Sequence, residues 1–233
     1  ECFRYAQHWQ GSVCSVMHEI AEVLEYSFKE RITEGNRHSA FHLRNGEESY
    51  VVKLSETGSD VDSTLRREIT CYEQGLFEDV QPGFVRAGTA KGYRYLITEW
   101  SGETPRLNGS RSEAMRIADS LAGMLGQVHG TPRVPGAPSV TWADSVESLV
   151  ADCRCEADRD QGRQATIGAA RKRLLRADPG LRGSHGDVKI GNIVTGEDET
   201  AYLVDWEHVK LQSKYFDLAK AELRILRSHF KHG

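Results

Sequence analysis

Apolar residues recur along the chain at two different spacings, which together predict a fold of mixed α and β elements. Recurrence every three to four residues indicates amphipathic helices, and the stretches with this period are 16–26, 63–76, 112–129, 145–175 and 215–230. Short alternating runs indicate strands, and these runs are 40–43, 49–54, 84–88, 93–100, 192–194 and 201–204. Asn45-Gly46, between the first two runs, is a strong β-hairpin signal.

The strand-rich and helix-rich parts of the sequence meet near Gly102. Before this point the pattern predicts an antiparallel sheet that carries one helix, and after it long helices dominate. A chain of 233 residues can form one sizeable domain or two closely associated lobes. We therefore expect a first lobe at residues 1–101, a second at residues 102–233, and a single active site.

Composition excludes several classes of protein. Hydrophobic residues are 39% and charged residues 27% of the chain, as in globular proteins. The net charge of −4 and the absence of a long Lys/Arg run argue against nucleic-acid or membrane partners. Five cysteines without a C-x-x-C pair support neither a disulfide framework nor a zinc site. No apolar run approaches a membrane span and no signal peptide is evident, so we expect a cytoplasmic monomer or homodimer.

Two acidic motifs flank the predicted hairpin near the end of the chain. His185-Gly186-Asp187 is followed by Asn192, and Asp205 ends the second strand. Phosphoryl transfer from ATP needs a carboxylate that orients the attacking hydroxyl and accepts its proton, and hard oxygen ligands that hold Mg²⁺. The pattern predicts Asp187 in the first role and Asn192 and Asp205 as the metal ligands.

With these motifs the sequence resembles the kinase-like small-molecule phosphotransferases, which include aminoglycoside phosphotransferases and choline kinases. The spacing from Asp187 to Asn192 is similar to the H-R-D-x-x-x-x-N loop of protein kinases, and Asp-Trp-Glu at 205–207 stands in place of Asp-Phe-Gly. The resemblance implies a bilobal, protein-kinase-like α+β fold. A small N-terminal antiparallel sheet lobe would lie over a larger, mainly helical C-terminal lobe, with ATP in the cleft between them.

The resemblance also implies a second set of charged contacts to ATP. Lys53 resembles the strand lysine that pairs the α- and β-phosphates, and Glu68 resembles its helix partner. Glu73 is a rival on the same helix. Lys189 resembles the catalytic-loop lysine of protein kinases, which implies contact with the γ-phosphate; a solvated loop charge is the alternative.

The remaining nucleotide contacts are implied by the loop and the hinge. The loop at 34–40 has a single glycine instead of G-x-G-x-x-G, and Ser39 is the candidate phosphate contact there. Residues 95–100 resemble the hinge strand whose backbone receives adenine, which makes Glu99 and Trp100 candidate nucleotide residues.

Three further residues are expected to support the site. Asp217 resembles the structural aspartate that braces the catalytic loop, and we assign it no catalytic role. His185 is expected to be a hydrogen-bonded support of the loop, and His129, at the end of a predicted helix, is expected to be structural. Trp206 either faces the substrate or packs.

These features together predict an ATP- and Mg²⁺-dependent kinase of a small-molecule hydroxyl. Its expected acceptor is an antibiotic, an aminoglycoside or a similar compound, which implies a role in antibiotic resistance. One alternative is an atypical protein kinase, suggested by Lys189, although no Ala-Pro-Glu motif is present and only about ten residues separate Asp205 from the last helix. Another is a non-catalytic, pseudokinase-like module that binds nucleotide.

Overall fold

The structure is a computed structural model that describes residues 11–24, 27–31, 39–105, 111–157, 161–176 and 180–230. The chain divides into two compact units, Glu1–Gly102 and Glu103–Gly233. The assignment of nucleotide binding to the first unit and of catalysis to the second stays a prediction.

The N-terminal unit contains a five-stranded antiparallel sheet with strand order β1-β2-β3-β5-β4. Its described elements are α1 (Gly11–Leu24), β1 (Ser27–Arg31), β2 (Ser39–Asn45), β3 (Glu48–Glu56), α2 (Asp60–Glu73), β4 (Phe84–Ala90) and β5 (Tyr93–Glu99). Strand β1 was not predicted because its sequence SFKER contains a single apolar residue and so has no alternation. The predicted hairpin at Asn45-Gly46 joins β2 to β3, and Gly46 has the positive φ of 59° that this turn requires.

The two faces of β3 have different surroundings. Val52 and Leu54 are buried in a core that also contains Val16, Met17 and Ile20 of α1. Successive side chains of a strand point to opposite faces, so Lys53 points away from this core, and its ammonium contacts α2 instead. The alternation of β3 thus places one lysine on the α2 face of the sheet.

Helix α2 has specific signals at both of its ends. The Ser59 hydroxyl caps the N-terminus by accepting a hydrogen bond from the backbone N–H of Asp62 at 3.2 Å. At the other end the N–H of Leu76 donates to the carbonyl of Cys71 at 3.1 Å, and Gly75 has a φ of 58°. This is a Schellman motif, and it explains why the helix ends at Glu73, before the predicted end at residue 76.

The C-terminal unit is mainly helical. Its described elements are α3 (Arg111–Gly130), α4 (Trp142–Ala157), α5 (Gln161–Leu174), β6 (Arg182–Ser184), β7 (Ile193–Thr195), β8 (Ala201–Leu203), β9 (Lys210–Gln212) and α6 (Lys214–Phe230). Strands β6 and β9 form one two-stranded antiparallel sheet, and β7 and β8 form another. The predicted strand at 192–194 starts one residue later, because Asn192 belongs to a 3₁₀ turn, Ile190–Asn192.

Helices α4 and α5 pack on each other through a small core. Val146 and Val150 are buried there beside Trp142, with Ile167 and Leu175 packed against them. The indole N–H of Trp142 donates to the carbonyl of Leu174 at 2.6 Å. Among the helices that the structure describes, none combines the length and hydrophobicity that crossing a membrane requires.

The carboxylate of Asp62 links α2 to β5, and its charge is expected to stabilise the N-terminal unit. Asp62 is buried and accepts hydrogen bonds from Arg94 Nε at 2.5 Å, Arg66 Nε at 3.0 Å and the Gly58 N–H at 3.1 Å. Burial by itself would raise the pKa of Asp62, but the hydrogen bonds from Arg94, Gly58 and Arg66 lower it from 3.8 to about 2. Its stabilising effect is therefore complete above about pH 5 and is lost as the pH falls through 4 towards 2.

We predict that Asp62→Asn lowers the free energy of unfolding by about 2–4 kcal/mol at pH 7, because Arg94 loses its charged partner. Urea titration measures this difference, and the exposed Asp60→Asn variant, in the same helical turn, is the control. The difference between wild type and Asp62→Asn should shrink between pH 4 and pH 2. A difference that stays constant over this range would contradict the role given to the Asp62 charge.

Candidate active site

The loop that carries Asp187 lies between β6 and β7, and one buried carboxylate on α6 holds its backbone in place. Asp217, on α6, is fully buried and accepts hydrogen bonds from the backbone N–H groups of His185 and Gly186, both at 2.9 Å. His129, at the end of α3, lies 3.2 Å from the same carboxylate. Burial opposes ionisation of Asp217, but the contact with His129, the nearby His185 and the Gly186 N–H outweigh it and lower its pKa. Asp217 therefore braces the loop as expected, and His129 is structural.

His185 connects this loop to the end of strand β8. Its Nε2 lies 3.0 Å from the carbonyl of Val204, and its Nδ1 accepts a hydrogen bond from the backbone N–H of Asp187 at 3.3 Å. These partners fit a neutral imidazole with the proton on Nε2, and complete burial lowers the pKa of His185. His185 is thus a hydrogen-bonded support. Trp206 packs on its ring at 4.7 Å and is itself buried, so Trp206 packs in the unit and does not face solvent.

Gly186 is the position at which the loop needs a glycine. Its φ is 82°, and a Cβ at this position would collide with the carbonyl oxygen of His208. Residues with side chains rarely adopt this backbone conformation. The loop can therefore approach the segment after Asp205 closely only if residue 186 has no side chain.

Asp187 makes a charged contact through each of its carboxylate oxygens. Oδ2 accepts from Lys189 Nζ at 2.7 Å, and Oδ1 accepts from Arg224 Nη1 at 2.5 Å. Burial favours the neutral acid, but Lys189 and Arg224 hold the pKa of Asp187 well below its usual range. Lys189 is therefore an ion-pair partner of Asp187, although its side chain is 42% exposed, and its contact with the γ-phosphate stays a prediction. Arg224, on α6, was not predicted from the sequence.

Asn192 and Asp205 lie on backbone segments that are hydrogen-bonded to each other. The amide nitrogen of Asn192 donates to the Asp187 carbonyl at 2.9 Å and to Asp187 Oδ2 at 3.2 Å, which leaves the amide oxygen to act as a ligand. The N–H of Val204 donates to the Asn192 carbonyl at 3.0 Å. Asp205 has a φ of 72°, an uncommon conformation for a residue other than glycine and one found more often at functional sites. One amide and one carboxylate oxygen fit Mg²⁺, which usually takes few protein ligands and completes its shell with phosphate and water.

The N-terminal unit contains the predicted lysine–glutamate pair. Lys53 Nζ lies 2.7 Å from Glu68 Oε1, and the Glu68 side chain is only 1% exposed. Glu73, the rival on α2, is exposed at the end of the helix. The structure therefore pairs Lys53 with Glu68.

The other predicted nucleotide residues lie on strand β2 and at the end of strand β5. Ser39 begins β2 opposite Leu54, and residues 34–38 of the predicted loop lie outside the described residues. The N–H groups of Glu99 and Trp100 donate to the carbonyls of Gly83 at 2.8 Å and Ser49 at 2.9 Å. These two N–H groups are therefore not available to adenine in this arrangement, a detail that the hinge resemblance did not predict.

A family model described as the phosphotransferase enzyme family (APH) matches residues 30–228. The chain belongs to this phosphotransferase family. Because the match covers most of the chain and includes both acidic motifs, the predicted resemblance is confirmed, and the protein is a small-molecule kinase. No curated protein sequence matches it.

Solved structures with a similar fold include kinases of different small molecules. An aminoglycoside-3'-phosphotransferase of type VIII is 20% identical, with 92% of this chain and 84% of that chain covered and a TM-score of 0.61. Choline kinase LicA from Streptococcus pneumoniae is 16% identical over 94% of this chain and 79% of its own, with a TM-score of 0.62. Spectinomycin phosphotransferase APH(9)-Ia is 18% identical over 88% and 73%, with a TM-score of 0.55. At these identities the likeness confirms the kinase-like α+β fold of this phosphotransferase and not its acceptor.

The requirement for glycine at position 186 predicts a large effect of a small substitution. Gly186→Ala should lower the free energy of unfolding by about 3 kcal/mol or more, since it adds backbone strain and displaces the His208 carbonyl. Gly191→Ala is the matched control in the same loop, because a Cβ there meets open space and the backbone is outside the left-handed region. That control should stay within about 0.5 kcal/mol of wild type in urea titration. Equal effects of the two variants would refute this account of the loop.

Proposed function

We propose that this phosphotransferase transfers the γ-phosphoryl group of ATP to a hydroxyl of a small molecule in a Mg²⁺-dependent reaction. The observation that supports it best is the position of Asp187 on a loop held by the Asp217 carboxylate, 2.7 Å from Lys189 and hydrogen-bonded to Asn192. Placement and charge neutralisation are the two effects that accelerate phosphoryl transfer through a loose transition state. The hydrogen bond from Asn192 would help to place Asp187, and the Lys189 ammonium would supply the neutralising charge.

Asp187 is proposed to align the acceptor hydroxyl and to receive its proton. A carboxylate whose pKa is lowered by Lys189 and Arg224 is ionised at neutral pH but is a weak base. Its main contribution would therefore be orientation of the hydroxyl. Lys189 would neutralise charge on the transferred phosphoryl group.

Asn192 and Asp205 are the residues proposed to hold Mg²⁺. When bound, the ion neutralises charge on the β- and γ-phosphate oxygens. The hydrogen bond from the Asn192 amide nitrogen to the Asp187 carbonyl would keep the amide oxygen directed away from Asp187. The supporting bond from Val204 to Asn192 would keep the two ligand segments in register.

In the N-terminal unit Lys53 is proposed to bind the α- and β-phosphates, with Glu68 holding its ammonium in place. An unpaired lysine is flexible and strongly hydrated, so the pair with a buried carboxylate limits the entropy lost on binding. Ser39 is proposed to contact phosphate. Glu99 and Trp100 are proposed to contact adenine through groups other than their backbone N–H.

We further propose that the acceptor is an antibiotic, an aminoglycoside or a similar compound. Solved neighbours of this fold include APH(9)-Ia in complex with ADP and spectinomycin, and APH(4)-Ia in complex with AMP-PNP and hygromycin B. Choline kinase LicA, with a TM-score of 0.62, makes choline the alternative acceptor to test first. The broader statement, a kinase of small molecules, does not depend on this choice.

The two alternatives from the sequence have less support. In an atypical protein kinase the segment after Asp205 would have to dock a peptide. Here its residues Lys210–Gln212 pair with Arg182–Ser184, and α6 begins at Lys214. For a non-catalytic module, loss of residues from the site would be expected, whereas Lys53, Asp187, Asn192 and Asp205 are all present.

We predict that Asp187→Asn lowers kcat about 100- to 10,000-fold with a smaller change in the KM for ATP, because the residue orients the acceptor and does not bind nucleotide. The measurement is a coupled ADP-release assay with Mg-ATP and a panel of aminoglycosides, other antibiotics, choline and amino alcohols. Asp198→Asn, at an exposed turn, is the control and should behave as wild type. Normal turnover of Asp187→Asn would refute the proposed role.

The paired carboxylate in the N-terminal unit gives a separate test of nucleotide binding. Glu68→Gln should weaken binding of Mg-AMP-PNP about 10-fold, since Lys53 loses a charged hydrogen bond of about 1.5–3 kcal/mol that holds it in position. Glu73→Gln, on the same helix and exposed, should leave the affinity unchanged. Titration calorimetry measures the affinity of both variants for Mg-AMP-PNP. A larger loss of affinity in Glu73→Gln than in Glu68→Gln would refute the role proposed for the Lys53–Glu68 pair.

A further inference from the structure

Helix α6 contacts the loop between β6 and β7 through two of its side chains. The Asp217 carboxylate accepts hydrogen bonds from the backbone N–H groups of His185 and Gly186, both at 2.9 Å. Arg224, about two helical turns later, donates from Nη1 to Asp187 Oδ1 at 2.5 Å. This spacing puts Asp217 and Arg224 on the same face of the helix. One helix therefore holds the backbone of the loop and also contacts its proposed catalytic side chain.

The two oxygens of the Asp187 carboxylate have different partners. Oδ2 accepts hydrogen bonds from Lys189 Nζ at 2.7 Å and from Asn192 Nδ2 at 3.2 Å, whereas Oδ1 accepts from Arg224. A carboxylate oxygen can accept about two hydrogen bonds. Among the contacts of the described residues, Oδ2 is therefore saturated and Oδ1 retains one accepting position. An acceptor hydroxyl aligned by Asp187 would share Oδ1 with the Arg224 guanidinium.

Lys189 and Arg224 differ in how well they can keep their contact with Asp187 during phosphoryl transfer. Lys189 belongs to the loop itself, and its proposed task is to neutralise charge on the transferred group. Its ammonium is a point charge on a flexible stem, so phosphate oxygens compete with Asp187 for it. Arg224 is equally exposed but belongs to a helix that the buried Asp217 anchors, and no phosphate contact is proposed for it. Its planar guanidinium also restricts the orientation of a bonded carboxylate more than an ammonium does.

The burial of Asp187 requires that at least one charged partner stays in place. Its side chain is only 13% exposed, and a carboxylate removed from water is costly unless hydrogen bonds and opposite charge replace its hydration. When the Lys189 ammonium turns to phosphate, Asn192 remains on Oδ2 as a neutral donor. Within the described part of the chain, Arg224 is then the charged group still bonded to Asp187.

We propose that Arg224 is a positioning residue for Asp187, which keeps the carboxylate oriented towards the acceptor hydroxyl while Lys189 contacts the transferred phosphoryl group. The inference rests on the proposed phosphotransfer function and adds a residue to its site. Arg224 acts through Asp187, and its role requires no contact with the nucleotide. Loss of Arg224 should therefore slow the transfer step and have little effect on the binding of either substrate.

The test compares steady-state ADP release by the full chain in wild type, Arg224→Ala, Arg224→Lys and Asp187→Asn. Release is measured with Mg-ATP and the most active acceptor of the panel, and also with water as the acceptor. Arg116→Ala, at an exposed arginine of α3, is the matched control for loss of a guanidinium. Arg224→Ala and Asp187→Asn are also assayed with added methylguanidinium, which can occupy the space of the deleted group. Circular dichroism and urea titration show whether each variant is folded as wild type.

We expect Arg224→Ala to lower kcat about 10- to 100-fold, the loss expected for a charged hydrogen bond, with KM values for ATP and acceptor within about twofold of wild type. Arg224→Lys should retain part of kcat because it keeps the charge but not the planar fork, and Arg116→Ala should retain all of it. Methylguanidinium should restore part of kcat to Arg224→Ala and none to Asp187→Asn. An unchanged kcat in Arg224→Ala, or a loss confined to KM, would overturn the proposal.

The same assays separate this inference from the proposed function. Normal turnover by Asp187→Asn refutes the proposed function, whatever the rate of Arg224→Ala. Loss of turnover in Asp187→Asn together with normal turnover in Arg224→Ala refutes the role of Arg224 alone. A double-mutant cycle with Lys189→Ala tests the division of tasks, because residues with independent tasks during transfer should lower kcat by factors that multiply. A loss in the double variant well beyond this product would mean that Lys189 also holds Asp187 during transfer, and would contradict the proposal.

Discussion

The catalytic loop depends on the buried carboxylate of Asp217. A charge without exposure to water is costly unless hydrogen bonds replace its hydration, and here three groups do so: two backbone N–H groups of the loop and the ring of His129. The requirement acts in both directions. Asp217 remains ionised because the loop amides donate to it, and the loop amides of His185 and Gly186 have their hydrogen bonds satisfied by Asp217. These mutual hydrogen bonds fix the backbone of His185 and Gly186, and Asp187 is the next residue in the chain.

The conformation of Gly186 and the tautomer of His185 transmit this constraint to the two proposed metal ligands. With no side chain at 186, the loop can approach His208, three residues after Asp205. The neutral imidazole of His185 donates to Val204, the residue before Asp205. The backbone of Val204 in turn donates to Asn192. Both proposed metal ligands are thus positioned through backbone hydrogen bonds, so the geometry of the site depends little on their own side-chain packing.

Residues within strongly periodic elements were predicted best from the sequence. Lys53 alternates with Val52 and Leu54, and Glu68 lies on the buried face of α2 with Leu65 and Tyr72. Their pairing, which the family resemblance implied, agrees with these periods, whereas the rival Glu73 is exposed. Strands β1, β6 and β9 have no such pattern and were missed. The end of α2 was misplaced because the Schellman turn at Gly75 outweighs the periodic Leu76.

Arg224 shows a different limit of sequence reasoning. A charged residue on an amphipathic helix normally indicates the solvated face, and nothing local distinguishes Arg224 from the other basic residues of α6. Its spacing of four from Lys220 and of seven from Asp217 places all three on one face of the helix. Only the packing of α6 under the loop, fixed by Asp217, brings that face to Asp187. The spacing therefore placed Arg224 on the same helix face as Asp217, but that face could be located only once the position of Asp217 under the loop was known.

The fold constrains the two halves of the proposed reaction to different degrees. Asp187 and Asn192 lie in one loop, and hydrogen bonds connect this loop to Val204, the neighbour of Asp205, and to Asp217 on α6. The proposed catalytic aspartate and metal ligands are therefore held in one connected arrangement. An acceptor would also contact side chains outside these segments, and such side chains can change without disturbing Asp217 or the backbone amides bonded to it. Fold similarity at 15–20% identity therefore shows the architecture and carries little information on the acceptor.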